Sequence, residues 1–208
     1  MADIKAVIFD IGNTLFYISI EQQIQYWAQS TGLPFHVINN RFSFDDTHKQ
    51  FERGEITELD YYEHIKQLLQ TPSLTFEQYF NGWNAIYCEN LPLIEQVIHQ
   101  IKQQGIKVVA LSNTNITHEK IWKWKYKSLL FPFDKVFASH HIGTIKPEQE
   151  AYFTVLNYLN LTPKQCLFFD DSAINIKAAQ ELGINAHQVV TPKGMYMEML
   201  EMGIDLQF

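Results

Sequence analysis

Ala6-Val7-Ile8-Phe9-Asp10-Ile11-Gly12-Asn13-Thr14-Leu15 opens with four apolar residues and runs directly into an acid, a glycine and two hydrogen-bonding side chains. A continuous apolar run has no polar face, so it predicts a strand covered on both sides, as in a parallel sheet flanked by helices. The acid that ends it then lies at the carboxyl edge of the sheet, where open α/β folds gather their ligands. Gly12 lets the backbone approach a ligand closely. Read alone, Asp10 also has a purely structural reading, as a polar residue that ends a strand.

Two further runs repeat the pattern. Val108 to Leu111 ends in Ser112-Asn113, and Leu167 to Phe169 ends in Asp170-Asp171. Weaker runs at Lys135 to Ala138 and Ala186 to Val190 complete a five-stranded sheet. Between them lie helical patterns: Leu91 to Gln104, with Ile94, Val97, Ile98 and Ile101 on one face and Gly105 as its cap; Glu148 to Asn160; and Ile174 to Leu182, stopping at Gly183. Alternation of strand and helix predicts an α/β class with a Rossmann-like parallel sheet flanked by helices. Residues 17–90 differ, being helical in pattern and without a comparable strand. They read as a small helical bundle inserted after the first strand, above the carboxyl edge of the sheet, where a cap excludes water and selects substrates. The expected organisation is a core of residues 1–16 and 91–208 with a cap of residues 17–90.

Composition narrows the function. The 208 residues carry 16 Lys and Arg against 23 Asp and Glu, a net charge of −7, which argues against nonspecific contact with nucleic acid or an anionic membrane. The apolar run at the N-terminus is too short for a signal peptide, and no stretch is long enough to span a bilayer. The two cysteines, Cys88 and Cys166, show no paired or metal-type spacing. They are expected to be buried thiols in a reducing cytoplasm. The eight histidines, His118 and His140-His141 among them, show no ligand spacing either. Lys120 to Lys127 interleaves lysines with Trp122, Trp124 and Tyr126, a pattern that suits base stacking but also a short helix with half-buried tryptophans.

The chemistry concentrates in four clusters, in the order Asp10 to Thr14, Ser112 to Asn115, Lys146-Pro147 and Asp170 to Asn175. Ser112 and Asn113 offer donors for anionic oxygens, or cap the next helix. Lys146 has an ordinary solvated reading as well. Adjacent carboxylates at a buried edge repel one another unless a cation compensates, which makes Mg²⁺ an economical explanation of Asp170-Asp171.

This ordered set resembles the haloacid dehalogenase superfamily of phosphohydrolases. Phe9-Asp10-Ile11-Gly12-Asn13, Leu111-Ser112-Asn113-Thr114-Asn115, Lys146-Pro147 and Phe168-Phe169-Asp170-Asp171 are similar to its bacterial α-D-glucose-1-phosphate phosphatase branch, as are Glu52-Arg53-Gly54-Glu55-Ile56, Glu77-Gln78-Tyr79 and Gly82-Trp83 in the cap. The resemblance implies hydrolysis of a small phosphorylated metabolite, with Asp10 attacking phosphorus to form an aspartyl phosphate. It implies Mg²⁺ held by Asp10, the carbonyl of Gly12 and Asp171, and substrate phosphate gripped by Ser112, the amide of Asn113 and Lys146. Asp170, Asn175 and Thr14 are expected to support these groups from behind. Phe42, Phe44, His48, Trp83 and Tyr87 are candidates for the substrate chamber. Hinges are expected near Phe16-Tyr17 and Asn90-Leu91-Pro92. The oligomeric state is left open.

One departure matters. The superfamily's phosphatases usually carry a second Asp two residues after the nucleophile, and here that position is Gly12. General acid and base help is worth about 10² to 10⁴ in rate, so its loss favours a substrate with a good leaving group, such as a sugar 1-phosphate. Two alternatives stand beside this reading. A 2-haloacid dehalogenase needs no Asp at Gly12 but needs a cap arginine, for which Arg41 is the candidate. A protein of the same fold that binds a phosphometabolite without turnover is the other.

Overall fold

The computed structural model describes residues 3–207; Met1, Ala2 and Phe208, which fall within the expected core boundaries, lie outside the described residues. In chain order the elements are β1 (Ala6–Phe9), β2 (Phe16–Ile18), α1 (Ile20–Thr31), α2 (Phe35–Arg41), α3 (Asp46–Glu52), α4 (Glu58–Leu68), α5 (Phe76–Trp83) and β3 (Tyr87–Asn90). There follow α6 (Ile94–Gln103), β4 (Lys107–Ser112), α7 (Ile116–Lys125), α8 (Lys127–Leu130), β5 (Lys135–Ala138), α9 (Ser139–Ile142) and α10 (Gln149–Leu159). The chain closes with β6 (Cys166–Asp170), α11 (Ala173–Glu181), β7 (Asn185–Gln188) and α12 (Pro192–Glu201).

The fold is α/β. Five parallel strands run in the order β5-β4-β1-β6-β7, so β1 is central, with Phe9 level with Ala110 on one side and Phe169 on the other. Side chains alternate across a strand, and both faces here are apolar. Val7, Phe9, Val108 and Phe169 pack under α6 and α12 through Val97, Ile98, Ile101 and Met199. Ala6, Ile8, Val109 and Phe168 pack under α10 and α11 through Ala151, Val155, Leu156 and Ala179. A sheet covered in this way has its carboxyl edge free for chemistry. The fifth predicted strand is shorter than expected: β7 ends at Gln188, and Val190 is 80% exposed.

Helices α1 to α5 bury a core of their own, with Trp27, Tyr61, Tyr79 and Trp83 at its centre. Their starts are set by short polar side chains: Ser19 accepts from the N–H of Gln22, and Thr57-Asp60 and Thr75-Gln78 form reciprocal capping boxes. Helices α1 and α5 approach so closely that a Cβ at Gly82 would lie 2.4 Å from the Trp27 ring.

The insertion is not wholly helical, and this corrects the sequence reading. β2 and β3 pair antiparallel at its root, Phe16 opposite Asn90 and Ile18 opposite Tyr87. Cys88 therefore lies on a strand and is only half-buried, whereas Cys166 is buried at the start of β6. The aromatic, lysine-rich stretch also differs from expectation. Trp122 is buried at 1% exposure and Trp124 is 81% exposed, so neither is half-buried. Among the described residues, no helix is long and apolar enough to cross a membrane.

Candidate active site

Three parallel strands deliver their polar ends to one place. Asp10 follows β1, its N–H bonded to the carbonyl of Phe169 at 2.8 Å, while Ser112 ends β4 and Asp170 ends β6. Lys146 arrives from the loop before α10. Its Nζ donates to Asp10 Oδ1 at 2.5 Å and to Asp170 Oδ2 at 2.6 Å, and all three side chains are buried.

Asp170 is held on every side. Both of its oxygens accept from Asn175 Nδ2, at 3.1 and 3.0 Å, and Oδ1 also accepts from the N–H of Ser172 at 2.8 Å. Asp171 is half-buried and its Oδ2 accepts from Asn13 Nδ2 at 3.0 Å. Asn13 sits at φ 54°, a left-handed conformation that asparagine tolerates, and its Oδ1 accepts from the N–H of Ile18. Asn13 thus joins the acidic edge to the root of the insertion, a role that nothing in its sequence neighbourhood announced.

The donor expected of Asn113 is left to its backbone N–H, and Thr14 lacks its expected contact. The side chain of Asn113 is spent on the backbone of Lys146, accepting from its N–H at 2.7 Å and donating to its C=O at 2.9 Å. Thr14 is fully buried, but its Oγ1 makes no hydrogen bond, so no such contact joins it to the carboxylates.

Burial pushes the Asp10 carboxyl up to about 7; Lys146 opposes this, and the like charges of Asp170 and Asp171 add to it. Burial pulls the other way on Lys146, yet Asp10 and Asp170 hold its ammonium above the ordinary lysine range. Three carboxylates facing one ammonium leave an uncompensated negative charge. Asp10, Asp171 and the carbonyl of Gly12 offer only oxygens, the donor set of a hard divalent cation such as Mg²⁺. The residues present therefore fit that ion.

Above this edge lies a cavity of about 430 Å³, reaching from Gly12, Ser112, Asn113 and Lys146 into the inserted helices. Its walls are largely apolar, with Ile11, Phe16, Ile18, Phe44, Trp83 and Tyr87 among them. Of the expected chamber residues, Phe44, His48, Trp83 and Tyr87 line it; Phe42 packs instead against Trp27 within the insertion. A Cβ at Gly12 would come 3.2 Å from Ile18 Cδ1, a contact that a shift of a few tenths of an ångström in that side chain relieves.

Sequence reasoning missed Gln23 and His118. Gln23 lines the cavity at 1% exposure with neither amide atom hydrogen-bonded. His118 stacks on Trp83 at 4.7 Å, and its Nε2 lies 3.0 Å from the Trp83 carbonyl. Burial pushes its pKa down to about 3, so the ring is neutral and Nε2 donates to that carbonyl. The sequence has two arginines. Arg41 donates to the carbonyl of Leu69 within the insertion, and Arg53 pairs with Glu148 across the boundary between insertion and core.

Comparison with known proteins identifies the family of this chain. A family model described as haloacid dehalogenase-like hydrolase matches residues 4–183. A sesquiterpene phosphatase of Aspergillus oryzae is 26% identical over 203 residues, covering 95% of this chain and 96% of that one. A D-ribitol-5-phosphate phosphatase of Bacteroides thetaiotaomicron is 23% identical over 194 residues, covering 89% and 91%. The crystal structure of a family enzyme from the same bacterium, in complex with magnesium and inorganic phosphate, superposes with a TM-score of 0.76 at 27% identity, covering 91% of this chain and 96% of that one.

Proposed function

The chain belongs to the haloacid dehalogenase-like hydrolases, and on that premise we propose that it is a Mg²⁺-dependent phosphatase that turns over through an aspartyl phosphate on Asp10. The observation that carries this reading is the bridge from Lys146 to Asp10 and Asp170 at the floor of a largely apolar chamber. An Asp10 oxygen forms the new bond to phosphorus as the ester oxygen leaves with its electron pair. Water then attacks the same phosphorus, releasing phosphate and restoring the carboxylate. Ser112 Oγ, the N–H of Asn113 and Lys146 Nζ hold the phosphoryl oxygens, whose charge persists throughout transfer. Asp170 anchors Lys146, and Asn175 anchors Asp170. Asp10, the carbonyl of Gly12 and Asp171 would hold Mg²⁺, which would supply the charge neutralisation that lets a carboxylate approach a phosphate dianion.

The inserted helices act as a cap over this chamber, and the core comprises 1–16 and 91–208. With Gly12 in place of an acid, the leaving oxygen draws its proton from solvent, and an acidic leaving group is favoured. A small phosphorylated metabolite of the sugar 1-phosphate type satisfies that condition, in a cytoplasmic setting that keeps Cys88 and Cys166 reduced. The apolar walls support a second reading, a phosphomonoester of an apolar alcohol. A relative named as a sesquiterpene phosphatase is consistent with it. A 2-haloacid dehalogenase is disfavoured, because both arginines are engaged away from the chamber.

The test is phosphate release from glucose 1-phosphate, glucose 6-phosphate and farnesyl monophosphate, each with Mg²⁺ and with EDTA. Release that requires Mg²⁺ and is fastest on the 1-phosphate supports the first reading, and preference for farnesyl monophosphate supports the second. Release undiminished by EDTA counts against both.

A further inference from the structure

Outside that site, three side chains converge between α7 and α9. Nε2 of His140 and Nε2 of His141 lie 3.1 and 2.8 Å from one oxygen, Oε2 of Glu119. The three candidate ligand atoms all fall within 4.8 Å of one another. The sequence reading found no ligand spacing among the histidines, and within either helix there is none; the cluster forms only when α7 and α9 meet.

We propose that Glu119, His140 and His141 form a binding site for a borderline divalent transition metal of the Zn²⁺ class, tying α7 to α9. Metal bonds of about 2.0 to 2.2 Å in tetrahedral geometry place neighbouring ligand atoms roughly 3.3 Å apart, close to the two nitrogen–oxygen separations found. Two imidazoles and one carboxylate select Zn²⁺ over Mg²⁺, which takes oxygen donors. The Glu119 and His140 side chains are 7% and 5% exposed, whereas that of His141 is 55% exposed, so the fourth coordination position opens to solvent.

The other charged group at the cluster is Lys123, whose Nζ lies 2.7 Å from Glu119 Oε1 and fixes the orientation of the carboxylate without occupying Oε2.

The location gives the tie a structural consequence. α7 follows the strand that ends in Ser112, α9 leads to Lys146, and a Cβ at Gly54 of the insertion would lie 2.6 Å from the His140 carbonyl oxygen. A metal here braces the surface on which the inserted helices rest.

The test is calorimetric titration of Zn²⁺ into chelator-treated, full-length protein with Mg²⁺ in excess, alongside thermal melts with and without Zn²⁺. Wild type is expected to bind one Zn²⁺ per chain and to melt higher when it is bound. His141→Ala, which removes a half-exposed ring, is expected to melt like wild type without Zn²⁺, to lose about tenfold or more in affinity and to show no Zn²⁺-dependent rise; Glu119→Gln is expected to lose affinity likewise. No saturable binding by wild type in excess Mg²⁺, or unchanged binding by His141→Ala, overturns the proposal.

Discussion

Asn113 clasps the backbone of Lys146 from both sides, its Oδ1 taking the N–H at 2.7 Å and its Nδ2 giving to the C=O at 2.9 Å. The two residues lie 33 positions apart, on different sides of β5, so this clasp fixes where the Lys146 ammonium meets Asp10. Net contributions of about 0.5 to 1.5 kcal/mol per hydrogen bond set the scale of its loss. Asn113→Ala is expected to lower kcat/KM by roughly 10- to 100-fold, mostly through kcat, and Asn113→Asp, which keeps the acceptor but turns a carboxylate oxygen towards the Lys146 C=O, to lose at least as much. Equal activity of Asn113→Ala and wild type contradicts the assignment.

Glu148 carries one of the contacts that join insertion to core, and two core groups hold it in place. It accepts from Arg53, from Thr144 Oγ1 at 2.7 Å and from the N–H of Ile145 at 3.2 Å. Burial raises its pKa, but these donors outweigh burial and hold the carboxyl below the ordinary glutamate value. A carboxylate with a depressed folded-state pKa stabilises the protein fully above the unfolded value, about 4.3, and loses that contribution as pH falls through the folded one. Glu148→Gln is expected to melt a few degrees below wild type at neutral pH, with the gap closing on acidification below about pH 4. A gap that widens with acidification is inconsistent with this account.

Gln23 is buried at the chamber wall with both amide atoms unpaired. A buried polar group without a partner costs about 1 to 3 kcal/mol, and at the chamber wall a polar group of the substrate is placed to pair with this one. Gln23→Leu is therefore expected to raise the melting temperature, by roughly 2 to 4 °C per kcal/mol recovered in a domain of this size, and to raise KM for the preferred substrate more than for a small aryl phosphate. A lower melting temperature with unchanged KM rules this role out.

The carboxyl edge was legible because each apolar run stops at a polar residue that the parallel sheet brings to one place: Phe9 at Asp10, Leu111 at Ser112, Phe169 at Asp170. Phe16–Ile18, apolar but only three residues long, and Tyr87–Asn90, four residues of mixed polarity, are too short to stand out from the helical pattern around them, and they pair with each other. The clasp of Asn113 on Lys146 and the bond from Asn13 to Asp171 were hidden because each joins loops that only the folded sheet brings together. Glu119 and His140 stand 21 residues apart, so no local spacing rule finds them.

The proposed turnover depends on Asp10 acting as nucleophile. The decisive measurement is the rate of phosphate release from an activated aryl phosphate by wild type and Asp10→Asn, with Mg²⁺ and with EDTA, on protein whose folding is checked by melting. Wild type is expected to release phosphate only with Mg²⁺, and Asp10→Asn to lose on the order of 10⁴-fold or more, the scale seen when a covalent nucleophile is removed. Release that survives Asp10→Asn, or none from folded wild type with Mg²⁺, contradicts it.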